Sequence, residues 1–178
     1  EETPFVFRAV NRLDRDTSGL ILLAKNPYSS CILSEAVKDH AIHREYAAVV
    51  SGKTDSSGTI DLPIARKDGS TIERVCDPER GDAAVTHYQT IAYNKDADLS
   101  FIRLLLETGR THQIRVHMAY IKHPLVGDPV YGPKKVITQL HGQCLHAGLI
   151  GFIHPRTGEY MEFEAPLPPY FTDFVKTL

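Results

Sequence analysis

The order of strand-like and helix-like segments constrains this fold more than any other feature of the sequence. Three strand-like segments follow one another with no helix between them, at residues 71–76, 83–93 and 99–107. Turns that contain Asp, Gly or Asn separate them. Consecutive strands joined by short turns pair in the antiparallel direction. The pattern therefore predicts an α+β fold, in which helices pack on one mixed or antiparallel sheet.

The same reading of periodicity and turn residues predicts the remaining elements. Three helices are expected: residues 28–40 with Asn26 or Ser29 as the cap, Thr111 to about His123, and a short helix from Pro168. Further strands are expected at residues 20–25 (buried), 45–50, 145–153 and 160–163, the last two as a hairpin. Residues 51–58 and 123–133 are predicted loops.

The length of the chain and its cysteines limit the class of protein. With 178 residues it is long enough for one domain with a substantial core. No apolar run approaches the ~20 residues that cross a bilayer, and no signal peptide opens the chain. Cys31, Cys76 and Cys144 form no CxxC pair, and no HExxH pattern occurs. We therefore expect a soluble, cytoplasmic monomer with no membrane partner and no metal.

The distribution of charge is more informative than the net charge of −2. Residues 103–135 hold six Lys and Arg against two acids, whereas residues 55–98 hold five Lys and Arg against nine acids. A protein that binds phosphates along one surface needs only a local positive field. Ordinary scatter of charge over a solvated surface explains the same counts.

Residues 11–19, NRLDRDTSG, are unusually dense in functional side chains. If Arg12, Leu13 and Asp14 are extended, Leu13 points into the core while Arg12 and Asp14 share the opposite face. An Asx turn is the alternative interpretation, since Asp, Thr, Ser and Gly are all turn residues.

Two further segments could carry chemistry. In TGRTHQIRVH, residues 108–117, a Gly-containing turn leads into a predicted helix whose first turns carry Arg110, His112, Gln113 and Arg115. His112 and Arg115 are three apart and share a helix face. Tyr46 lies at the head of a predicted strand. A polar surface helix and a packed tyrosine are the alternatives.

Together these segments resemble one family. NRLDRDTSGLILLAKN, REYAAVVSGK, TGRTHQIRVHMAYIKHPLVGDPVYG and LHAGLIGFIHPRTGEY follow in the order found in the RluA-type RNA pseudouridine synthases. The resemblance runs from about Asn11 to Pro168, and the long third motif is the most specific. The related RsuA-type branch is expected to lack the HPLVGDPVYG stretch, which favours the RluA branch.

The sequence departs from the family pattern at two points. Asn11 stands where the first motif has His. The family also has a KPxG strand roughly 30 residues before RLD, for which this chain begins too late, and some members carry an S4-like RNA-binding module. We therefore expect residues 1–178 to be a single catalytic domain without its first strand and without an S4-like domain.

The resemblance implies a role for each candidate residue. Asp14 would be the catalytic aspartate, Tyr46 the active-site tyrosine and Arg115 the arginine that pairs with Asp14. Ile114 would line the base pocket, and Arg12 would face the RNA and fill the gap left by a flipped nucleotide. The remaining substrate-binding candidates are Arg110, Thr111, His112 and Gln113. The implied fold is a mixed, largely antiparallel sheet with the active cleft across its middle.

The chemistry of that family fits these residue types. Conversion of uridine to pseudouridine breaks the N1–C1′ bond and joins C5 to C1′, with no net exchange of electrons, so no cofactor is expected. The reaction needs a carboxylate and a group that moves a proton. The base must also leave its stack, and Tyr46 could support it or transfer the proton. Whether Asp14 attacks C6 or C1′, or assists elimination, stays open, as does the choice between ribosomal and transfer RNA.

Two rival interpretations come from other classes of protein. An RNA-binding relative that has lost catalysis would keep the basic helix but lose Asp14, Tyr46 or Arg115, and all three are present. A hydrolase could use Asp14 and Asp16 as a pair that shares a metal ion.

Overall fold

The computed structural model describes residues 6–133 and 142–176. Within them the helices are α1 Pro27–Lys38, α2 Gln113–Tyr120 and α3 Pro169–Lys176. The strands are β1 Arg8–Ala9, β2 Ser18–Gly19, β3 Leu23–Ala24, β4 His43–Ser51, β5 Ser57–Asp61, β6 Ile64–Arg66, β7 Arg74–Cys76, β8 Val85–Asn94, β9 Leu99–Leu106, β10 Leu145–Ile153 and β11 Tyr160–Glu164.

One sheet of seven strands forms the centre of the fold. Six strands follow the order β11-β10-β4-β9-β8-β5 and pair antiparallel, while β2 runs parallel beside β10. Two small antiparallel ribbons, β1-β3 and β6-β7, lie outside it. The predicted α+β fold with a mixed, largely antiparallel sheet is therefore confirmed.

One face of the sheet carries both α1 and α2. The β4 side chains of Arg44, Tyr46 and Ala48 lie on this face, opposite Ile150, Ala147 and Leu145 of β10. A bulge at position 148 adds one residue to β10 and so keeps these β10 residues on the same side. Ile150 packs with α1, whereas Leu145 and Ala147 pack with α2. The two helices therefore pack on the same face of the sheet and leave a gap between them over β4.

A buried polar network attaches α2 to the sheet. The hydroxyl of Thr86 on β8 accepts a hydrogen bond from Gln113 Nε2 at 3.0 Å and bonds His117 Nδ1 at 2.9 Å. His117 Nε2 donates to the Leu62 carbonyl at 2.9 Å. Burial lowers the pKa of His117, so the imidazole is neutral and its two nitrogens fill one acceptor and one donor role. These bonds set the position of the side chains on the first turns of α2.

The helix and hairpin predictions are close to the observed elements. Asn26 is the cap of α1, and its Oδ1 accepts from the Ser29 amide at 2.8 Å. The strand expected at residues 45–50 is β4, and the hairpin expected near the end of the chain is β10-β11. The helix expected from Pro168 is α3.

The predicted buried strand at residues 20–25 is wrong in extent and in burial. Only Leu23–Ala24 pairs, and it pairs with β1 in a ribbon outside the main sheet. Ile21 and Leu23 are exposed, whereas Leu20 and Leu22 pack against the core under α1. The ribbon covers one end of that core with a single face, so only alternate side chains are buried.

Two other boundaries differ from the prediction. β5 begins inside the predicted loop at residues 51–58. It is a polar strand at the edge of the sheet, and Gly58 leaves room for the ring of Tyr88. The strand predicted at residues 71–76 is limited to Arg74–Cys76 and pairs with β6, which the sequence pattern did not reveal. Short polar strands give little periodic signal.

Candidate active site

A cleft of about 270 Å³ lies between α1 and α2, with Arg44 and Tyr46 of β4 on its floor. It is lined by residues 10–14 with Thr17, by Val37 of α1, by residues 109–114, and by residues of strands β4, β9 and β10. It is thus built where the segments singled out in the sequence converge. The expected central cleft is present.

The segment that carries Asp14 crosses the end of the sheet as a tight turn. The Thr17 amide donates to the Asp14 carbonyl at 3.1 Å, and Asp16 adopts a positive φ of 66°. Gly19 then passes so close to β10 that a Cβ atom would lie 2.2 Å from the Ala147 carbonyl oxygen. Gln143 Nε2 donates to the Arg15 carbonyl at 2.7 Å and holds the turn from below. The turn interpretation is therefore confirmed, and Arg12–Asp14 lies just before the turn in no regular element.

Asp14 forms an ion pair with Arg115, as the pairing hypothesis requires. Arg115 Nη1 lies 3.3 Å from Asp14 Oδ2. The same guanidinium donates from Nε and Nη2 to both oxygens of Asp128, at 2.7 and 2.9 Å. The Arg115 and Asp128 side chains are almost completely buried, with exposed fractions of 4% and 0%. This two-point contact orients the arginine, and the arginine in turn orients Asp14.

Asp128 is held on its other side by the loop that follows α2. Its Oδ1 accepts from the amides of Val130 and Tyr131 at 2.8 and 3.1 Å. Burial alone would raise the pKa of Asp128, but the hydrogen bonds and charge of Arg115 outweigh it and lower the pKa below its ordinary value. Asp128 is therefore a carboxylate at neutral pH.

Tyr46 lies on the cleft floor with 9% of its surface exposed. Burial raises the pKa of its hydroxyl, with Asp14 adding to the rise and Arg44 opposing it. The phenol is therefore protonated at neutral pH. Its hydroxyl makes no hydrogen bond with the described residues, which leaves it free for a substrate.

The turn at residues 109–113 forms one wall of the cleft and corrects the predicted start of α2. Arg110, Thr111 and His112 precede the helix, because His112 has a φ of 58° and a left-handed residue cannot continue a right-handed helix. Gln113 Oε1 accepts from the Arg110 amide at 2.9 Å and from the Thr108 hydroxyl at 2.8 Å. With its amide nitrogen bound to β8, Gln113 is engaged on both ends and supports the turn.

His112 reaches the ion-pair network through Tyr131. The Tyr131 hydroxyl accepts from the Arg74 amide at 2.8 Å and lies 2.9 Å from His112 Nδ1. Burial and the nearby Arg115 charge lower the pKa of His112. A neutral His112 accepts a hydrogen bond from the Tyr131 hydroxyl at Nδ1, so both groups have a hydrogen-bond partner. Arg115 also lies over the Tyr131 ring, 5.2 Å from its centroid.

The structure thus brings together every candidate residue from the sequence. Eight line the cleft: Arg12, Asp14, Tyr46, Arg110, Thr111, His112, Gln113 and Ile114. Arg115 lies directly behind Asp14. Three contributors were missed: Asp128, Arg44 and Gln143. Asp128 stands in the GDPVYG stretch of the third motif, where its role could have been sought, whereas a contact from Gln143 to a turn about 130 residues earlier leaves no sequence signal.

The basic segment at residues 103–135 does not form one continuous surface. Arg103 pairs with Glu45, and Arg115 is buried against two carboxylates. Lys134 and Lys135 lie outside the described residues. The positive charge that faces the cleft comes from Arg12, Arg44 and Arg110, of which only Arg110 belongs to that segment.

The shared-metal interpretation of the two acids finds no support in their contacts. Asp14 pairs with Arg115, whereas Asp16 lies 3.5 Å from the exposed Arg15 and does not line the cleft. In residues 6–133 and 142–176, no group of three or more His, Cys, Asp and Glu side chains is arranged to hold a metal. No helix in this part of the chain is long and apolar enough to cross a membrane.

Comparison with known proteins assigns this chain to a family. A model described as RNA pseudouridylate synthase matches residues 1–120. The chain belongs to the RNA pseudouridylate synthase family. It is 48% identical over 172 residues to an uncharacterized RNA pseudouridine synthase of Bacillus subtilis, an alignment that covers 95% of this chain and 55% of that protein.

Other relatives agree with this assignment. Ribosomal large subunit pseudouridine synthase D of Zymomonas mobilis is 44% identical over 170 residues, covering 89% of this chain and 52% of that protein. The solved structure of human RNA pseudouridylate synthase domain containing 1 has a TM-score of 0.77 at 26% identity and covers 92% of this chain and 70% of its own. This chain spans little more than half the length of the curated relatives it matches. The RluA-type resemblance and the pseudouridine synthase fold are confirmed.

The position of Asp128 leads to a prediction about stability and pH. Asp128→Asn removes the charge opposite buried Arg115, so we expect a loss of about 3–5 kcal/mol in the free energy of unfolding at pH 7. Because the pKa of Asp128 is lowered in the folded protein, its contribution is complete above the ordinary carboxyl pKa and is lost as the pH falls through the lowered value. Urea unfolding at pH 7 and in acid should show the gap between wild type and variant closing in acid.

Asp173→Asn provides the matched control. Asp173 is exposed on α3, and among residues 6–133 and 142–176 its one ion pair is with Lys176 at 3.8 Å. Its loss should change the free energy of unfolding by less than about 0.5 kcal/mol. Equal stability of the two variants at pH 7 would contradict the assigned role of Asp128.

Proposed function

We propose that this chain is the catalytic part of an RNA pseudouridine synthase that converts specific uridines in ribosomal or transfer RNA to pseudouridine, with Asp14 as its nucleophile. The observation that carries the proposal is the state of Asp14. Its Oδ2 is held by Arg115, whereas Oδ1 accepts no hydrogen bond from the described residues and faces a cleft lined by Tyr46.

Side chains in the cleft would serve the successive steps of the isomerisation. A uridine must leave its stack to enter, and the exposed Arg12, which lines the cleft, would occupy the gap. The base would stack on Tyr46, while Ile114 gives an apolar wall. Asp14 then supports cleavage of N1–C1′ by covalent attack or by assisting elimination. C5 joins C1′, the C5 hydrogen leaves as a proton, and N1 gains one, so the reaction balances without a cofactor.

The surface beside the cleft suits a nucleic acid. A second depression of about 360 Å³ shares Gly109, Arg110 and Thr111 with the cleft and adds Arg66 and Arg74. A strand whose uridine entered the cleft would have its neighbouring phosphates near these arginines. Relatives named for the ribosomal large subunit make ribosomal RNA the first RNA in which to map pseudouridines.

The direct test compares Asp14→Asn with Asp16→Asn. Release of tritium from RNA labelled at uracil C5 measures turnover, with no metal or nucleotide added. We expect Asp14→Asn to abolish release while RNA affinity stays within about tenfold, because the carboxamide fills the same space but is not a nucleophile. Asp16→Asn, on the turn outside the cleft, should retain most activity. Equal loss from both changes would mean that the acids act as a pair and would sink the proposed mechanism.

A second test separates the two possible roles of Tyr46. Tyr46→Phe keeps the aromatic face and removes the hydroxyl, whose raised pKa makes it a proton carrier rather than a base at neutral pH. We expect a fall of about 10²-fold or more in the single-turnover rate, with RNA affinity nearly unchanged. If the Phe variant reacts at the wild-type rate, Tyr46 is a stacking platform and has no part in proton transfer.

A further inference from the structure

One buried charged side chain in the cleft, Arg44, has no partner among the described residues. Arg44 has only 6% of its surface exposed, yet it makes no ion pair and no side-chain hydrogen bond with the described residues. Its Nε is sealed from solvent without a partner. Burial lowers the pKa of Arg44, but a guanidinium starts so high that it remains charged at neutral pH. A buried charge without a partner destabilises the free protein.

The position of Arg44 points it at the substrate. It stands two residues before Tyr46 on β4, so both side chains lie on the cleft face of the strand. A Cβ atom at position 109 would lie 2.6 Å from Arg44 Nη1, so Gly109 leaves the space that the guanidinium occupies. Arg44 influences the Tyr46 hydroxyl electrostatically, as does Asp14 from its own position. The guanidinium is thus part of the floor that a flipped nucleotide would reach.

The charge of the cleft favours an anion as the missing partner. Three arginines, Arg12, Arg44 and Arg110, line it together with a single carboxylate, Asp14. That carboxylate is already paired with Arg115. Uracil is neutral before the reaction, so the base alone leaves Arg44 uncompensated. The phosphodiester of RNA carries a full negative charge and matches the two-point geometry of a guanidinium.

We propose that Arg44 binds a phosphate group adjacent to the flipped uridine, and so holds the nucleotide in the cleft while Asp14 acts on it. This proposal rests on the proposed function for the identity of the substrate. Arg44 supplies binding and position, because the phosphate it holds does not change charge during the reaction. Free energy lost by burying an unpaired charge in the free protein is recovered when the nucleotide enters.

Binding of small nucleotides tests this without any catalytic turnover. The probes are uridine, uridine 5′-monophosphate and uridine 3′-monophosphate, titrated into protein labelled with ¹⁵N-arginine. We expect at least one monophosphate to bind about tenfold or more tightly than uridine, the gain of a charge-assisted contact. The same monophosphate should shift the Nε resonance of Arg44, assigned by its absence from the spectrum of Arg44→Lys.

Two variants complete the test. Arg44→Gln should reduce the advantage of the monophosphate over uridine to within about twofold, whereas Arg156→Gln, which removes an exposed arginine of the β10-β11 turn, should keep it. Equal binding of the three probes by the wild-type protein would overturn the proposal, even if Arg44→Gln fails to fold. An Arg44 resonance that uridine alone shifts as far would also overturn it and indicate a base contact. Tritium release is measured in a separate assay. A protein that binds the monophosphate through Arg44 but releases no tritium would contradict the proposed function and leave the phosphate contact standing.

Discussion

The buried chain of charges from Asp128 through Arg115 to Asp14 is the interaction on which the site depends. Arg115 is tied at two points to a carboxylate that is itself held by two backbone amides. A flexible side chain is thereby reduced to a single orientation, in which its remaining nitrogen meets Asp14. The apparent cost of burying three ionised groups is offset because each one has a partner of opposite charge. Asp14 alone keeps an oxygen available to the cleft.

The fold brings these groups together by joining distant parts of the chain. The bulge in β10 keeps the residues beneath α1 and α2 on one face, so that a strip of β4 stays open between the helices. The Thr86 network holds α2 against β8, and Gly19 allows the segment after Asp14 to pair closely beside β10. The free, buried guanidinium of Arg44 lies on the same strip. The cleft therefore holds a buried cation without a partner and a carboxylate with only one oxygen paired among the described residues.

Sequence reasoning found the helices, most of the sheet and eight of the residues that line the cleft, because periodicity and a long specific motif both point to them. It failed where the signal is not periodic. The ribbon at residues 20–25 is apolar in sequence but covered on one side only, and the polar edge strand β5 resembles a loop. The left-handed His112 makes α2 begin at Gln113, two residues later than predicted. The role of Asp128 depends on its contact with Arg115, which lies on a different element. The lack of a partner for Arg44 depends on the residues packed around it, which no local sequence pattern encodes.

The most direct test of this account is the single-turnover rate of Arg115→Met and Arg115→Lys on RNA that the wild type modifies. Arg115→Met leaves Asp14 without its orienting partner, so we expect a fall of about 10²-fold or more in rate while RNA affinity changes by no more than about threefold. Arg115→Lys keeps the charge but not the fork that Asp128 holds, so its rate should fall between the two. If folded Arg115→Met reacts within about threefold of the wild-type rate, Asp14 does not depend on Arg115, and the central claim is wrong.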